Sequence, residues 1–351
     1  MQWMIYGVNG YSGQLIARQA RALGMQSVLA GRSPAVRRLA EELGLPARLF
    51  DLADAAATRE GLAGIGLVLN CAGPFSQTIA PMLAACLEAR AHYLDITGEI
   101  DVFEYAASQS VAATERGVVV CPGVGFDVVP TDCLAAALKE ALPDAQRLRL
   151  GFDMDSPMSP GTAKTLLEAL PQGGKVRRAG RISGVPLAAE RPRIDFGFGT
   201  KAAVCIPWGD VSTAYHSTGI GDIQCYIPAP RLLSTLMRAL DPLRALFGWP
   251  PVQRALIRAI DRWVHGPSEA QRRQQATAVW GEVSNARGER RVGYLRTGNP
   301  YELTIHAALA VVQHLLQQPQ AAVGYQTPSS LCGWRLLESL PGALQLEIST
   351  Y

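Results

Sequence analysis

The stretch Trp3-Met4-Ile5-Tyr6-Gly7-Val8-Asn9-Gly10-Tyr11-Ser12-Gly13 runs a short apolar strand into three spaced glycines and then into a helical pattern over 13–23. Glycine lets the backbone turn tightly there and approach a pyrophosphate with no Cβ in the way. The N–H groups that open the next helix are then left to bind negative charge. The spacing alone is a weak signal in a chain with 34 glycines. Its place between a strand and a helix makes it a dinucleotide-binding loop rather than a structural turn.

Outward from this loop, short apolar runs alternate with helical stretches. Strands are expected at 3–6, 27–30, 47–50, 67–70, 92–95 and 118–121, and helices at 13–23, 35–43, 55–61, 79–89 and 102–115. Such alternation implies an α/β fold, a doubly wound parallel Rossmann sheet with its ligand along one edge. From about Thr131 the rhythm changes. A helix at 132–141 leads into strand-like pieces at 147–153, 175–182, 193–199, 202–207, 223–227, 276–284 and 290–295. That pattern implies an α+β domain on a mixed sheet. Two more helices are expected at 301–317 and 329–339. The expected division is 1–130 for the nucleotide domain and 131–317 for a substrate and dimerisation domain.

Composition narrows the class. With 351 residues, 48% hydrophobic and 18% charged, the chain can bury a full core and is not mainly disordered. The net charge of +3 gives no argument for nucleic acid, although residues 1–150 carry −3 and residues 151–351 carry +6. Seven cysteines without a CxxC pair match neither a zinc site nor a disulfide scaffold. The start lacks the basic and apolar regions of a signal peptide, so a cytoplasmic protein is expected. The uncharged run 61–87 contains Asn70, Gly73, Pro74 and Gln77, and reads as strand, turn and helix rather than a membrane span.

The end of the second strand discriminates between dinucleotides. An NAD site usually offers a carboxylate there for the ribose 2′-OH. This chain has Ala30-Gly31-Arg32-Ser33, where Arg32 would pair with a 2′-phosphate and Ser33 could donate to it. NADP(H) is therefore expected. Asp51 either lies near the adenine edge or caps the following helix. Ala72, Gly73 and Pro74 end strand four with small residues that leave room for ribose and nicotinamide. Cys71 lacks a basic neighbour and reads as buried and inert.

These residues resemble the saccharopine dehydrogenase-like oxidoreductases, most of all the bacterial branch that includes trans-acting enoyl reductases. The resemblance rests on YGVNGYSG (6–13), AGRS (30–33), VLNCAGPF (68–75) and AHYLDITGE (91–99). CPGVGFDVVPTD (121–132), SPGTAKT (159–165), IPWGDVSTAYHSTGI (206–220), TGNPYELTIHAALA (297–310) and GYQTPSSLCG (324–333) extend it over most of the chain. Val8-Asn9 replaces the family's common Ala-Thr, and Asn9 can still hydrogen-bond a phosphate. The resemblance implies an NADP(H)-binding Rossmann domain, a substrate domain on a mixed sheet, and a C-terminal segment (318–351) packed back on the first domain. It also implies either lysine-type amino-acid chemistry or lipid enoyl reduction.

Reducing an activated double bond or imine needs a proton from a nearby acid. Asp127 follows the glycine-rich turn after strand six, and Tyr215 and His216 lie in the 206–220 segment beside Asp210 and Thr213. Tyr93, Asp95 and Glu99 stand at strand five. Each has a structural alternative: Asp127 and Asp210 as helix caps, Tyr215 as a core aromatic. His92, His265, His306 and His314 show no metal spacing, so no metal is expected. Imine chemistry would need cations for substrate carboxylates, with Lys164, Arg177 and Arg178 available. A third possibility is an NADP(H)-binding sensor or scaffold without turnover.

The helical patterns 231–247 and 251–264 carry leucines on one face and Arg254, Arg258 and Arg262 on another, with Trp249 and Trp263. They are read as core packing, a homodimer interface, a cover over an apolar substrate tunnel, or a peripheral membrane contact.

Overall fold

Strand β1 (Trp3–Tyr6) is buried along its whole length and pairs in parallel with β2 (Ser27–Gly31) on one side and β4 (Leu67–Asn70) on the other. In this computed structural model β3 (Ala47–Leu49), β5 (His92–Asp95), β6 (Val119–Cys121) and β15 (Gly324–Tyr325) complete a seven-stranded parallel sheet, ordered β15-β6-β5-β4-β1-β2-β3. The order reverses between β1 and β4, the switch point of a doubly wound sheet, where ligands bind beyond the strand ends. Helices α1 (Tyr11–Ala22), α2 (Ala35–Leu43), α3 (Ala55–Gly61), α4 (Phe75–Ala89), α5 (Ile100–Ser108) and α6 (Ser110–Arg116) connect the strands. The single helix expected at 102–115 is thus two, and β15 is a strand the sequence does not announce.

The structure describes residues 1–154, 164, 167, 170–264, 276–318, 322–341 and 346–350; His265 and most of the 159–165 motif lie outside them. The chain divides into two compact units, Met1–Val129 with Tyr301–Pro341, and Pro130–Pro300 with Gly342–Tyr351. The helix Pro300–Gln317, expected in the second domain, therefore falls almost wholly in the first unit. The final strand β16 (Leu346–Thr350), expected to return to the first, pairs with β14 (Arg290–Thr297) of the second.

The second unit carries a mixed sheet with β10 (Arg193–Asp195) and β11 (Thr200–Ile206) at one end. β7 (Arg147–Met154) runs parallel to β12 (Asp222–Pro228) and antiparallel to β13 (Thr277–Ser284). Its sequence expectation over 175–182 is corrected: the segment is a hairpin of β8 (Gly174–Arg178) and β9 (Arg181–Val185). Ala179 and Gly180 both adopt positive φ, +46° and +77°, the backbone of a two-residue hairpin turn. Gly281 and Gly293 face each other across β13 and β14, and the side chains of Leu134 and Leu138 from α7 (Val129–Ala141) fill the space above them.

Among the described residues no helix is long and apolar enough to cross a membrane. The uncharged run 61–87 forms β4 and α4 with their connections.

Candidate functional site

Register aligns Tyr6, Ala30, Asn70 and Asp95 in one row at the C-terminal ends of β1, β2, β4 and β5. The glycine loop leaves the sheet directly above Tyr6. Gly7 takes φ +84°, and a Cβ there would lie 2.6 Å from the Ala72 nitrogen. A Cβ on Gly13 would lie 2.5 Å from the Gly7 carbonyl oxygen. Gly10 is the N-cap of α1, with no side-chain cap and no acidic residue in the first turn. Gly10 thus offers no side chain to compete for the opening of α1, the end of a helix that attracts the negative charge of a pyrophosphate. Tyr11 is exposed and meets Tyr301 edge-on with ring centroids 5.2 Å apart, while Ser12 is half-buried. The Asn9 amide oxygen lies 3.2 Å from where a Gly31 Cβ would stand, so its side chain reaches the end of β2.

Beyond β2, Arg32 is exposed, and the half-buried Ser33 accepts a hydrogen bond from the Ala35 N–H at 3.3 Å. Tyr6 donates to the Phe50 carbonyl at 3.2 Å. Burial, with Asp51 adding negative charge, pushes its phenol up to about 12, against the pull of Arg32. Asp51 does not cap α3. Its carboxylate accepts from the Ala53 N–H, and Asp54 is the cap, accepting from Ala56 and Ala57. Asp51 is left exposed, and its charge and that of Arg32 both reach the Tyr6 phenol.

At the end of β4 the small turn Ala72-Gly73-Pro74 is held from below. Asn70 Oδ1 accepts from the Ala72 N–H at 3.1 Å, and Thr78 donates to the Ala72 carbonyl at 2.8 Å. Asn70 Nδ2 donates to Thr78 and, at 3.4 Å, to the Tyr93 hydroxyl. Tyr93 in turn donates to Asp95, which also accepts from the N–H groups of Thr97 and Gly123. A buried polar chain thus links the ends of β4, β5 and β6. Burial pushes the Asp95 carboxyl up to about 6 despite these donors. Cys71 is buried, and both burial and the Asp95 charge drive its thiol far above the ordinary range, which leaves it inert. Glu99 spans the first turn of α4, accepting from the N–H groups of Phe75 and Ser76, each at 3.0 Å.

Asp127 lies in the loop between β6 and α7, packed on the backbone of Gly98. A Cβ on Gly98 would lie 2.8 Å from its Oδ2. Thr304 from the helix Pro300–Gln317 anchors this loop by accepting the Phe126 N–H at 3.0 Å. Asp127 keeps part of its surface accessible, yet burial pushes its carboxyl up to about 6. The first unit therefore carries two carboxyl groups, Asp95 and Asp127, that keep a proton closer to neutrality than an ordinary aspartate.

Tyr215 and His216 belong to the second unit, on the helix Asp210–Thr218. Arg177 stacks on the half-buried Tyr215 ring at 4.3 Å, and His216 is exposed. Asp210 is buried in the first helical turn, whose N-cap position is Gly209. Arg177 is not a free cation for a substrate carboxylate: it is 4% exposed and donates to the Val211 and Gly180 carbonyls, each at 2.7 Å. Lys164 is paired with Asp261 at 2.6 Å. The sequence also gave no hint of the polar cluster on the second sheet. There Arg149 packs over Tyr226 and Trp280, and Tyr226 donates to Glu190. Its members are scattered singly over four segments.

A glycine-looped, doubly wound domain with these features belongs to the nucleotide-binding class of Rossmann folds. Residues 3–121 match the family model of the saccharopine dehydrogenase NADP binding domain. The match falls within the first unit and indicates NADP(H) as the nucleotide bound there. The trans-acting enoyl reductase of Mycobacterium ulcerans (strain Agy99) is 31% identical over 144 residues, covering 37% of this chain and 33% of that protein. The saccharopine dehydrogenase-like oxidoreductase of Mus musculus is 31% identical over 150 residues, covering 37% and 35%. The matched stretch thus spans about a third of the length of these curated relatives. Among solved structures, apo histidine-tagged saccharopine dehydrogenase (L-Glu forming) from Saccharomyces cerevisiae superposes with a TM-score of 0.69 at 13% identity, covering 100% of this chain and 99% of that one. That likeness establishes the fold of both units.

Proposed function

We propose that this chain is an NADP(H)-dependent oxidoreductase that reduces an enoyl group on a lipid-type substrate. The observation that carries the reading is one sheet edge bearing an uncapped glycine loop, Arg32 where an NAD site would have a carboxylate, and the proton-holding Asp127. Gly7, Gly10 and Gly13 would cradle the pyrophosphate, with Asn9, Tyr11 and Ser12 around it. Arg32 and Ser33 would take the 2′-phosphate, Asp51 the adenine edge, and Ala72, Gly73 and Pro74 the nicotinamide side. NADPH, when bound, supplies the hydride. Asp127, with its carboxyl near 6, is the proton donor we assign. Tyr215 and His216 are candidates for substrate contact.

Two observations favour the enoyl reading over amino-acid imine chemistry. The similar mycobacterial proteins are named trans-acting enoyl reductases. Of the three cations that imine chemistry would call on, Arg177 and Lys164 already have partners within the protein.

The test is a fluorescence titration with NADPH and NADH, followed by NADPH consumption with enoyl thioesters and with imines. NADPH should bind tighter by about tenfold or more, and Arg32→Ala should remove the preference, as loss of a charge-assisted contact of roughly 1.5–3 kcal/mol requires. Binding without consumption of NADPH by any enoyl, imine or carbonyl compound would make the protein a nucleotide sensor or scaffold. Binding of neither nucleotide would end the oxidoreductase reading.

A further inference from the structure

The helix Arg231–Leu240 is folded inside out. Ser234 is its one buried residue, 3% exposed, while Leu232 is 82% exposed, with Leu233, Leu236 and Leu240 also in solvent. The 3₁₀ segment Asp241–Gly248 continues the pattern with Leu243 and Leu246, and Trp249 and Trp263 stand exposed at either end of the helix Pro250–Trp263. Among the described residues, eight of the sixteen large apolar side chains left in solvent fall between positions 232 and 263. An apolar patch of this extent on a folded chain marks a docking surface.

Its charge identifies the occupant. Residues 231–264 hold six arginines and two aspartates, +4 in a chain whose total is +3. Both aspartates are already engaged, Asp241 by the Leu187 N–H and Arg244, Asp261 by Lys164. Arg254, Arg258 and Arg262 recur every fourth residue and are exposed, and like Arg231 and Arg238 they form no ion pair with a described residue. A second copy of the chain would bring two such cationic surfaces together, which electrostatics opposes. Leucines on one face, arginines beside them and tryptophans at the ends are the composition of a helix lying in a lipid interface.

We infer that the helix pair Arg231–Leu240 and Pro250–Trp263 docks the protein on an anionic membrane surface. The leucines enter the acyl boundary and the arginines meet lipid phosphates. This holds whether or not the first unit turns over a substrate.

The test is co-sedimentation of the whole chain with vesicles of phosphatidylcholine alone and of phosphatidylcholine with phosphatidylglycerol. The expected result is binding to the anionic vesicles at low salt, weakened at high salt by screening. The double variant Leu232→Glu, Leu236→Glu alters only exposed side chains and should lose at least about tenfold in vesicle affinity while its NADPH titration stays unchanged. Failure of the wild type to sediment with anionic vesicles at low salt overturns the inference. So does unchanged binding by the variant. A wild-type dimer that the variant converts to monomer, with no vesicle binding by either, assigns the surface to a second copy instead.

Discussion

Tyr93 donates its hydroxyl hydrogen to Oδ2 of Asp95 at 2.7 Å, two residues further along the same buried strand. Strand alternation puts the two side chains on one face of the sheet, and the Asn70 amide joins them at 3.4 Å from the neighbouring strand. The pair ties the turn that ends β4 to the loop that follows β6. It does so around a carboxyl that burial raises to about 6.

Tyr93→Phe keeps the ring and removes the donor. The Asp95 oxygen and the Asn70 amide each lose a partner inside the protein, at a cost of about 1–3 kcal/mol. Urea unfolding should register that loss, and the turn at Ala72 should loosen enough to weaken NADPH binding. An unchanged unfolding midpoint would mean that water or another donor replaces the hydroxyl.

Asp95 and Asp127 give stability a defined pH dependence. Each native carboxyl holds its proton up to about pH 6, whereas an unfolded aspartate releases it near the ordinary value of 3.8. Between those values the native state binds more protons, so the stabilisation is complete below the lower value and is lost as pH rises through the upper one. Asp127→Asn removes one of the two. The variant should be more stable than wild type by roughly 1–3 kcal/mol at about pH 8, and nearly equal to it at about pH 4. It should bind NADPH normally and lose turnover. Urea denaturation at the two pH values checks the first statement, and a constant difference between them would contradict it.

Gly7 and Gly24 separate backbone strain from crowding. Both take positive φ, +84° and +75°, but a Cβ on Gly24 would meet nothing within 4 Å, while one on Gly7 would strike the Ala72 backbone. Gly24→Ala should cost only the conformational penalty of about 1–2 kcal/mol and leave nucleotide affinity intact. Gly7→Ala should destabilise more and abolish NADPH binding, because the backbone of a second loop must move. Thermal unfolding and fluorescence titration of both variants make the comparison. Equal effects would show that the loop relaxes around an added methyl group.

Features encoded within one local segment were legible in the sequence. The strand–glycine–helix unit declares itself because its signals lie within about a dozen consecutive residues. β15 has two residues and its partner β6 lies some two hundred positions earlier, so no local pattern marks it. Glu99 likewise gives no sign that it will close the first turn of a helix that starts 24 positions upstream. Asp51 and Asp54 both precede α3, and only the chain path decides that Asp54 reaches its N–H groups. The hairpin at 178–181 was hidden by Ala179, since alanine seldom takes the positive φ that the turn requires.

Arg177 is the residue whose sequence reading and structure diverge most, and it offers the cleanest test between substrate classes. As a sequence it is one of a few cations available to a substrate carboxylate. In the fold its Nε serves the Val211 carbonyl, one NH group serves the Gly180 carbonyl, and its plane lies on the Tyr215 ring. It thereby fastens the turn of the β8–β9 hairpin to the helix Asp210–Thr218. Arg177→Met keeps most of the stem but leaves two carbonyls without their charged donor, each such bond being worth about 1.5–3 kcal/mol. The variant should unfold at distinctly lower urea concentration, and whatever turnover the folded fraction retains should keep its KM. Arg177→Lys should restore little, because an ammonium group lacks the planar fork that reaches both carbonyls while stacking on the ring. Stability near wild type with a KM raised tenfold or more for a carboxylate-bearing substrate would reverse the assignment. Arg177 would then be a substrate ligand, and imine chemistry would regain its cation.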